Sequence, residues 1–231
     1  DKSLNMSPLK NPELFEILIR KGALKQRVYN NTLDAFGLIK GVITEMDGIY
    51  KEKYEKASEK VPFEITELGD FELHLKFAGD ILIFNMHTNV FEFSRDHVVQ
   101  KTPYVREDNE RSYCGIINIY NFLADSFRYS RVNDIGYLIG RIFINKDKAY
   151  FIEGKKELGL LYSNFGQKSF NEEAAKSVVE SAILYTINFD LLTPPYSSQK
   201  EVSVREMKSI IDSYTLKTGK RLGFRFQADE D

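Results

Sequence analysis

Arg141 is the residue whose type and position in this sequence could most directly do chemistry. It stands in the extended run 135–145, where Tyr137, Ile139 and Phe143 alternate with it on one side. A guanidinium among apolar residues needs a partner, because an unpaired buried charge is very costly. The partner is either a helix carboxylate, which would make Arg141 structural, or an anionic ligand in a pocket beside Tyr137.

A second candidate site follows the next strand, where Glu153 and Lys155 form a Glu-x-Lys motif. Asp134 lies upstream, just before the neighbouring strand. This arrangement resembles the core of PD-(D/E)xK nucleases, over residues 133–162 only. The resemblance implies that Asp134 and Glu153 hold Mg²⁺, and that Lys155 positions or activates the attacking water.

A β-hairpin must position both candidate sites. The run Ile135–Asn145 is apolar on both faces, which predicts a central strand, and Ala149–Ile152 is the returning strand after a turn. Gly136 and Gly140 indicate close approach of another element, and we expect a helix. If Ile144 pairs with Ala149, Glu153 faces Gly140 and Asp134 lies well away. This register favours Arg141 over Lys155 as the functional residue.

Composition and charge exclude several classes of protein. The 231 residues are 42% hydrophobic and 29% charged, with a net charge of -2, so nothing marks a nucleic-acid binder. Cys114 is the only cysteine, which rules out an intramolecular disulfide and a cysteine-based zinc site. The spacing of the three histidines fits no metal site, and no cofactor motif can be assigned. We expect a cytoplasmic protein without a membrane span.

The N-terminal segment, residues 1–60, is dominated by one long predicted helix. Asn11-Pro12-Glu13 is a good start signal, and helix is expected to about Lys60, with a break near Gly22 left open. A heptad seam marks one face. Its members are Val28, Thr32, Ala35, Ile39, Val42, Met46 and Ile49. Two alternatives remain open: a helix lying across a sheet with a kink at Gly37, Gly41 or Gly48, or a homodimer formed through residues 23–58.

Residues 61–156 alternate with a period of two and predict an antiparallel sheet of about six or seven strands. The expected strands are 63–68, 71–77, 81–86, 90–93, 113–123 and the hairpin. Segment 113–123 also fits a helical face, but its β-branched and aromatic residues favour a strand. The polar segment 94–112 is predicted to be a long loop.

Residues 157–231 predict helices that cover the sheet, followed by a last strand. Asn171 caps a helix that ends before Thr193, and Ser203 to Glu206 is a capping box for another helix. Leu222 to Phe226 is the expected final strand.

The sequence therefore predicts a single α+β domain over residues 1–231. GAF and PAS sensor domains resemble this plan in architecture, since they also join a helix to a sheet that cups a ligand. We expect a non-enzymatic ligand-sensing or protein-interaction module, dimeric through its N-terminal helix. The alternative is a Mg²⁺-dependent nuclease that uses Asp134, Glu153 and Lys155.

Overall fold

A computed structural model describes residues 10–54, 56, 61–154, 165–193, 201 and 203–205. It confirms the predicted α+β class, with a long N-terminal helix, a seven-stranded antiparallel sheet and a helix near the C-terminus. Several predicted features lie outside the described residues. They are Lys155, Glu206 of the capping box and the strand Leu222 to Phe226.

The elements are numbered here in chain order. The strands are β1 Phe63–Glu67, β2 Glu72–Phe77, β3 Asp80–Met86, β4 Phe91–Glu92, β5 Tyr113–Leu123, β6 Tyr137–Asn145 and β7 Tyr150–Gly154. The helices are α1 Leu14–Lys53, α2 Pro103–Glu107, α3 Ala124–Arg128 and α4 Glu172–Ile187. Segment 113–123 is a strand, as predicted, and it lies at the centre of the sheet.

The sheet has the order β1-β2-β3-β5-β6-β7, and β4 pairs with the start of β5. Each neighbouring pair is antiparallel. Alternation decides which side chains face the helices. In β2, Leu73, Leu75 and Phe77 are buried while the residues between them stay half-exposed, because successive side chains of a strand point to opposite faces.

Helices α1 and α4 cover one face of the sheet and form the main core with it. The part of α1 that does so runs from Leu24 to Ile43, and its residues Val28, Ile39 and Ile43 are fully buried. The first five members of the predicted heptad seam therefore pack on the sheet of the same chain. α1 therefore lies across the sheet, and it runs without a break from Leu14 to Lys53. The homodimer stays a prediction.

The opposite face of the sheet is covered at one end by the segment predicted as a loop. Residues 98–112 form two short 3-10 helices and α2, and Thr102 caps α2 by accepting a hydrogen bond from the Val105 amide at 3.4 Å. Val99 and Val105 pack on Phe143 and Phe151 in a second, smaller core. The prediction of an irregular loop here is wrong, because capping and these apolar residues fold the segment.

None of the helices in the described ranges combines the length and the apolar content that crossing a lipid bilayer requires.

Candidate functional site

The first turns of α1 form an exposed apolar surface. Every residue from 10 to 23 is exposed, and the first buried residue of the helix is Leu24. Large apolar side chains nevertheless fill this segment, with exposed fractions between 38% and 70%. They are Leu14, Phe15, Ile17, Leu18 and Ile19. The segment from Leu14 to Gly22, here called the projecting segment, is thus apolar without being covered.

Helical spacing joins these side chains into one surface. Leu14 and Leu18, and likewise Phe15 and Ile19, are four residues apart, so each pair lies on the same side of the helix. At Gly22 an added Cβ would meet nothing within 4 Å, so another backbone can approach closely there. The surface is therefore a continuous apolar stripe that ends at an open glycine.

A cleft continues this stripe toward the body of the protein. It has a volume of about 570 Å³ and lies between the α1 residues from Gly22 to Tyr29 and the β3–β4 connection. Gly22, Lys25 and Tyr29 line it from α1, and Val90 and Phe91 line it from the other side. At this end of the projecting segment, the Lys21 Nζ donates a hydrogen bond to the Tyr113 hydroxyl at 3.4 Å.

The hairpin that carries the predicted sites has a register that differs by one residue from the prediction. Ile144 pairs with Tyr150 rather than Ala149, and Glu153 pairs with Arg141 rather than Gly140. The cause is a three-residue loop that ends with Lys148 in the left-handed region, at φ 60°. Asn145 holds this loop, since its Oδ1 accepts from the amides of Asp147 at 3.0 Å and Ala149 at 3.1 Å.

The shifted register gives Arg141 its partner. The Arg141 Nε donates to Glu153 Oε2 at 2.9 Å, and a second guanidinium nitrogen contacts the same oxygen. The partner is therefore a strand carboxylate, not the helix carboxylate expected. The Arg141 side chain is 41% exposed, so its charge is partly solvated. An anionic ligand at Arg141 would have to compete with Glu153, and this site stays a prediction.

Tyr137 does not accompany Arg141 on one face of β6, contrary to the alternation read from the sequence. Ile119 pairs with Gly140 but Tyr120 pairs with Leu138, so Ile139 is an extra residue in a β-bulge. Tyr137 and Ile139 consequently pack into the core beneath the helices. The prediction of one pocket shared by Tyr137 and Arg141 is wrong, because the bulge reverses the alternation between them.

The carboxylates of the predicted nuclease site have separate partners. Asp134 Oδ2 accepts from the Ser126 hydroxyl at 2.7 Å and lies 3.8 Å from Arg131 Nη1, whereas Glu153 pairs with Arg141. Tyr137 and Arg141 are four positions apart on β6, which is about 13 Å, and Asp134 lies beyond Tyr137. Among the described residues no group of three or more histidine, cysteine or acidic side chains could hold a metal ion. Lys155 lies outside the described residues, so the nuclease stays a prediction.

The structure also shows what surrounds the glycines of the sheet and Cys114. Gly136 faces the ring of Phe122, not a helix, so the expected reason for this glycine is wrong. Gly115 is the glycine that a helix approaches, since an added Cβ would lie 2.8 Å from the Thr32 Cβ. Cys114 is buried, and burial raises the pKa of its thiol above its ordinary value, which makes it a poor nucleophile.

The projecting segment is not among the functional sites predicted from the sequence. The signal was available in Leu-Phe-Glu-Ile-Leu-Ile, residues 14–19, because these apolar residues exceed what one helix face can bury. Nothing in that run distinguishes a core segment from an exposed one, however. Only the end of the sheet near Leu24 makes the difference.

Comparisons with protein-family models, with curated proteins and with solved structures gave no match to this chain.

Proposed function

We propose that this protein is a non-enzymatic protein-interaction module, and that its partner is a second copy of the chain bound through the projecting segment. One observation carries the proposal: five large apolar residues between Leu14 and Ile19 are exposed on a helix. Leaving such surface in water is unfavourable by about 25 cal/mol per Å². Contiguous exposed apolar patches of this kind mark interaction sites in proteins.

The rest of α1 supports the choice of this segment over the predicted seam. Val28, Ala35 and Ile39 are at most 2% exposed, because they already pack on the sheet of the same chain. These seam residues are therefore not available to a second copy unless the sheet is displaced. The projecting segment needs no such rearrangement, and the covered half of the helix holds it in helical form.

Size complementarity favours a second copy in antiparallel orientation. Large apolar side chains lie at the start of the segment, and the open Gly22 lies at its end. If two copies cross near Leu18, Leu14 of one reaches the open side of Gly22 of the other, because Leu14, Leu18 and Gly22 are four residues apart and share one side of the helix. A parallel pair would instead place Gly22 beside Gly22 and Leu14 beside Leu14, which fits less closely.

The size of the surface sets the expected strength of the dimer. The projecting segment is about 14 Å long. It is too short to bury by itself the about 800 Å² per partner of a standard interface. We therefore expect a reversible dimer with a Kd in the micromolar range, and a two-fold symmetric contact in which the same patch is used twice.

Sedimentation velocity of the full chain over a series of concentrations tests the proposal. The wild type is expected to shift from monomer to dimer, and Leu18→Glu is expected to stay monomeric because it buries a charge at the centre of the contact. Ile49→Glu is the matched control: Ile49 is 43% exposed on the same helix and belongs to the predicted seam. A monomeric wild type at micromolar concentration, or a dimer abolished by Ile49→Glu alone, would refute the proposal.

Disulfide crosslinking tests the orientation. In an antiparallel pair that crosses near Leu18, Leu18→Cys meets its own counterpart and oxidises to a linked dimer, whereas Leu14→Cys does not. A parallel pair would link both variants. Cys114 does not interfere, because it is buried and its pKa is raised above its ordinary value.

A further inference from the structure

A cleft at the end of the sheet remote from the β6–β7 turn is lined by a buried arginine, whose Nε has no hydrogen-bond partner among the described residues. The cleft has a volume of about 430 Å³, within the range of small-molecule sites, and is bounded by the β2–β3 turn, α3 and the end of α4. Arg131 lines it. The cleft shares no residue with the projecting segment.

Arg131 is deeply buried for a charged side chain. Its side chain is 8% exposed, and its Nε is buried with no hydrogen-bond partner in the part of the chain that the structure describes. The nearest acid is Asp134, 3.8 Å from Nη1, which is an ion-pair distance too long for a hydrogen bond. Asp134 instead accepts from Ser126 at 2.7 Å. The Arg131 side chain lines the cleft and has no hydrogen-bonded carboxylate within the described ranges, so an acceptor group placed in the cleft can accept from its guanidinium.

Carboxylates surround the same cleft. Asp125 and Asp190 are exposed, and Asp80 lies deeper, where its Oδ1 accepts from Asn121 Nδ2 at 3.2 Å. Three acids and one base therefore line the cleft. A simple anion would satisfy Arg131 but would be repelled by the three carboxylates. A simple cation would be attracted by the carboxylates but would leave the Arg131 donors unpaired.

A molecule that carries both charges resolves this conflict. We propose that the cleft binds a small zwitterion with the chemistry of a free α-amino acid. Its carboxylate accepts from Arg131, and its ammonium group lies toward Asp125 and Asp190. Leu123, Ile187 and Leu191 supply apolar wall for a side chain. Apolar walls with a few converging polar groups are the usual construction of a small-molecule site.

The test uses the full chain and the proteinogenic L-α-amino acids, each added singly at millimolar concentration. Chemical-shift changes in ¹H–¹⁵N spectra report binding at residues 78–80, 123–131 and 187–191. We expect at least one amino acid to bind there. For that amino acid, the analogue without the amino group and the analogue without the carboxylate should each bind at least about tenfold more weakly, since each loses one charge-assisted interaction.

Variants assign the two ends of the ligand. Arg131→Gln should weaken binding at least about tenfold. Arg128→Gln is the matched control, because both guanidinium groups lie over the Tyr129 ring, at 5.3 and 5.5 Å, but only Arg131 lines the cleft. Should Arg131→Gln fail to fold, the double variant Asp125→Asn with Asp190→Asn replaces it. That variant should abolish the preference for the amino acid over its deaminated analogue.

Three results would overturn the proposal. The first is that no amino acid perturbs the cleft, as expected if a water molecule alone satisfies Arg131. The second is equal affinity for the amino acid and its deaminated analogue. The third is equal affinity of Arg131→Gln and Arg128→Gln. Leu18→Glu, which removes the proposed dimer contact, should bind the amino acid as the wild type does, so the two proposals fail separately.

Discussion

The two parts of α1 are alike in sequence and opposite in environment. Residues 14–23 and residues 24–43 both carry apolar side chains three and four positions apart. In the second part most of these side chains are buried, among them Val28, Phe36 and Ile43, whereas in the first part none is. Apolar spacing therefore specifies a helix with an apolar face, and the extent of the sheet decides whether the same chain buries that face.

Truncating one phenylalanine in each part should give the largest contrast. Phe36 is 1% exposed and Phe15 is 58% exposed. Phe36→Ala should lower the free energy of unfolding by about 3–5 kcal/mol, because it opens a cavity in the core. Phe15→Ala should change it by less than about 0.5 kcal/mol in the monomer. Urea unfolding at a concentration well below the dimer Kd measures both values, and equal losses would contradict the comparison.

A smaller loss of stability is expected at the contact between α1 and β5, which involves only the covered part of α1. Gly115→Ala would drive its Cβ into the Thr32 side chain, whose Cβ and Cγ2 would lie 2.8 and 2.9 Å away. We expect a loss of about 3 kcal/mol, because a helix backbone must shift to relieve the overlap. Gly22→Ala is the control in the projecting segment, where nothing lies within 4 Å, and it should not destabilise the monomer. Thr32→Ala should partly rescue Gly115→Ala.

Asn31 tests whether polar contacts also hold the covered part in place. This buried residue donates from Nδ2 to the backbone oxygens of Asn145 at 3.0 Å and Lys146 at 2.8 Å. Asn31→Ala should cost about 2 kcal/mol, since it leaves buried carbonyl oxygens without a donor. Amide exchange in the β6–β7 turn should accelerate with it. Asn30→Ala is the control on the exposed side of the same turn of helix, and unchanged exchange in both variants would contradict this role.

The smallest expected effect is a pH dependence of the turn on which Asn31 rests. Burial is the main cause that raises the pKa of Tyr104 from 10 to about 12, and its hydroxyl donates to Asp147 Oδ2 at 2.8 Å. A group whose pKa is raised on folding stabilises the fold while it stays protonated in both states. Stability should therefore be intact below pH 10 and fall as the pH rises from 10 to about 12.

Tyr104→Phe provides the reference for this titration, since it removes the ionisable hydroxyl and keeps the ring. The difference in unfolding midpoint between the wild type and Tyr104→Phe should be constant below pH 10 and should shrink between pH 10 and 12. A difference that is independent of pH across this window would show that Tyr104 does not contribute the dependence. The projecting segment contains no residue that touches Tyr104, so dimerisation should not follow this titration.

Local sequence patterns predict the hairpin but not its register. Apolar runs and the turn residues Asn145 to Lys148 predict both strands and the turn between them. The predicted register is wrong by one residue. The structure has a three-residue loop with Lys148 at positive φ, where a four-residue loop was expected. The bulge at Ile139 then reversed the faces of Tyr137 and Arg141. Neither irregularity has a signal in the sequence, since both depend on how neighbouring strands fit.

The candidate sites were likewise predicted only in part from the sequence. One of the two predicted alternatives gave Arg141 a helix carboxylate as its partner, whereas the register of the hairpin gives it the strand carboxylate of Glu153. Arg131 is not among the residues predicted from the sequence, because an arginine in a polar connection is ordinarily a solvated surface residue. Its burial next to Asp134 and the cleft arises from chain segments that are far apart, from the β2–β3 turn to the end of α4.

The sequence by itself determined the α+β class, the long helix, the positions of most strands along the chain and the capping of α4 by Asn171. These features follow from periods of two and of three to four residues and from local capping groups, which act over a few positions of the chain. Only the tertiary structure decided which part of α1 is covered, which strand residues face each other and where Arg131 is buried. Those outcomes depend on where a sheet ends and on contacts between distant residues, which no local period records.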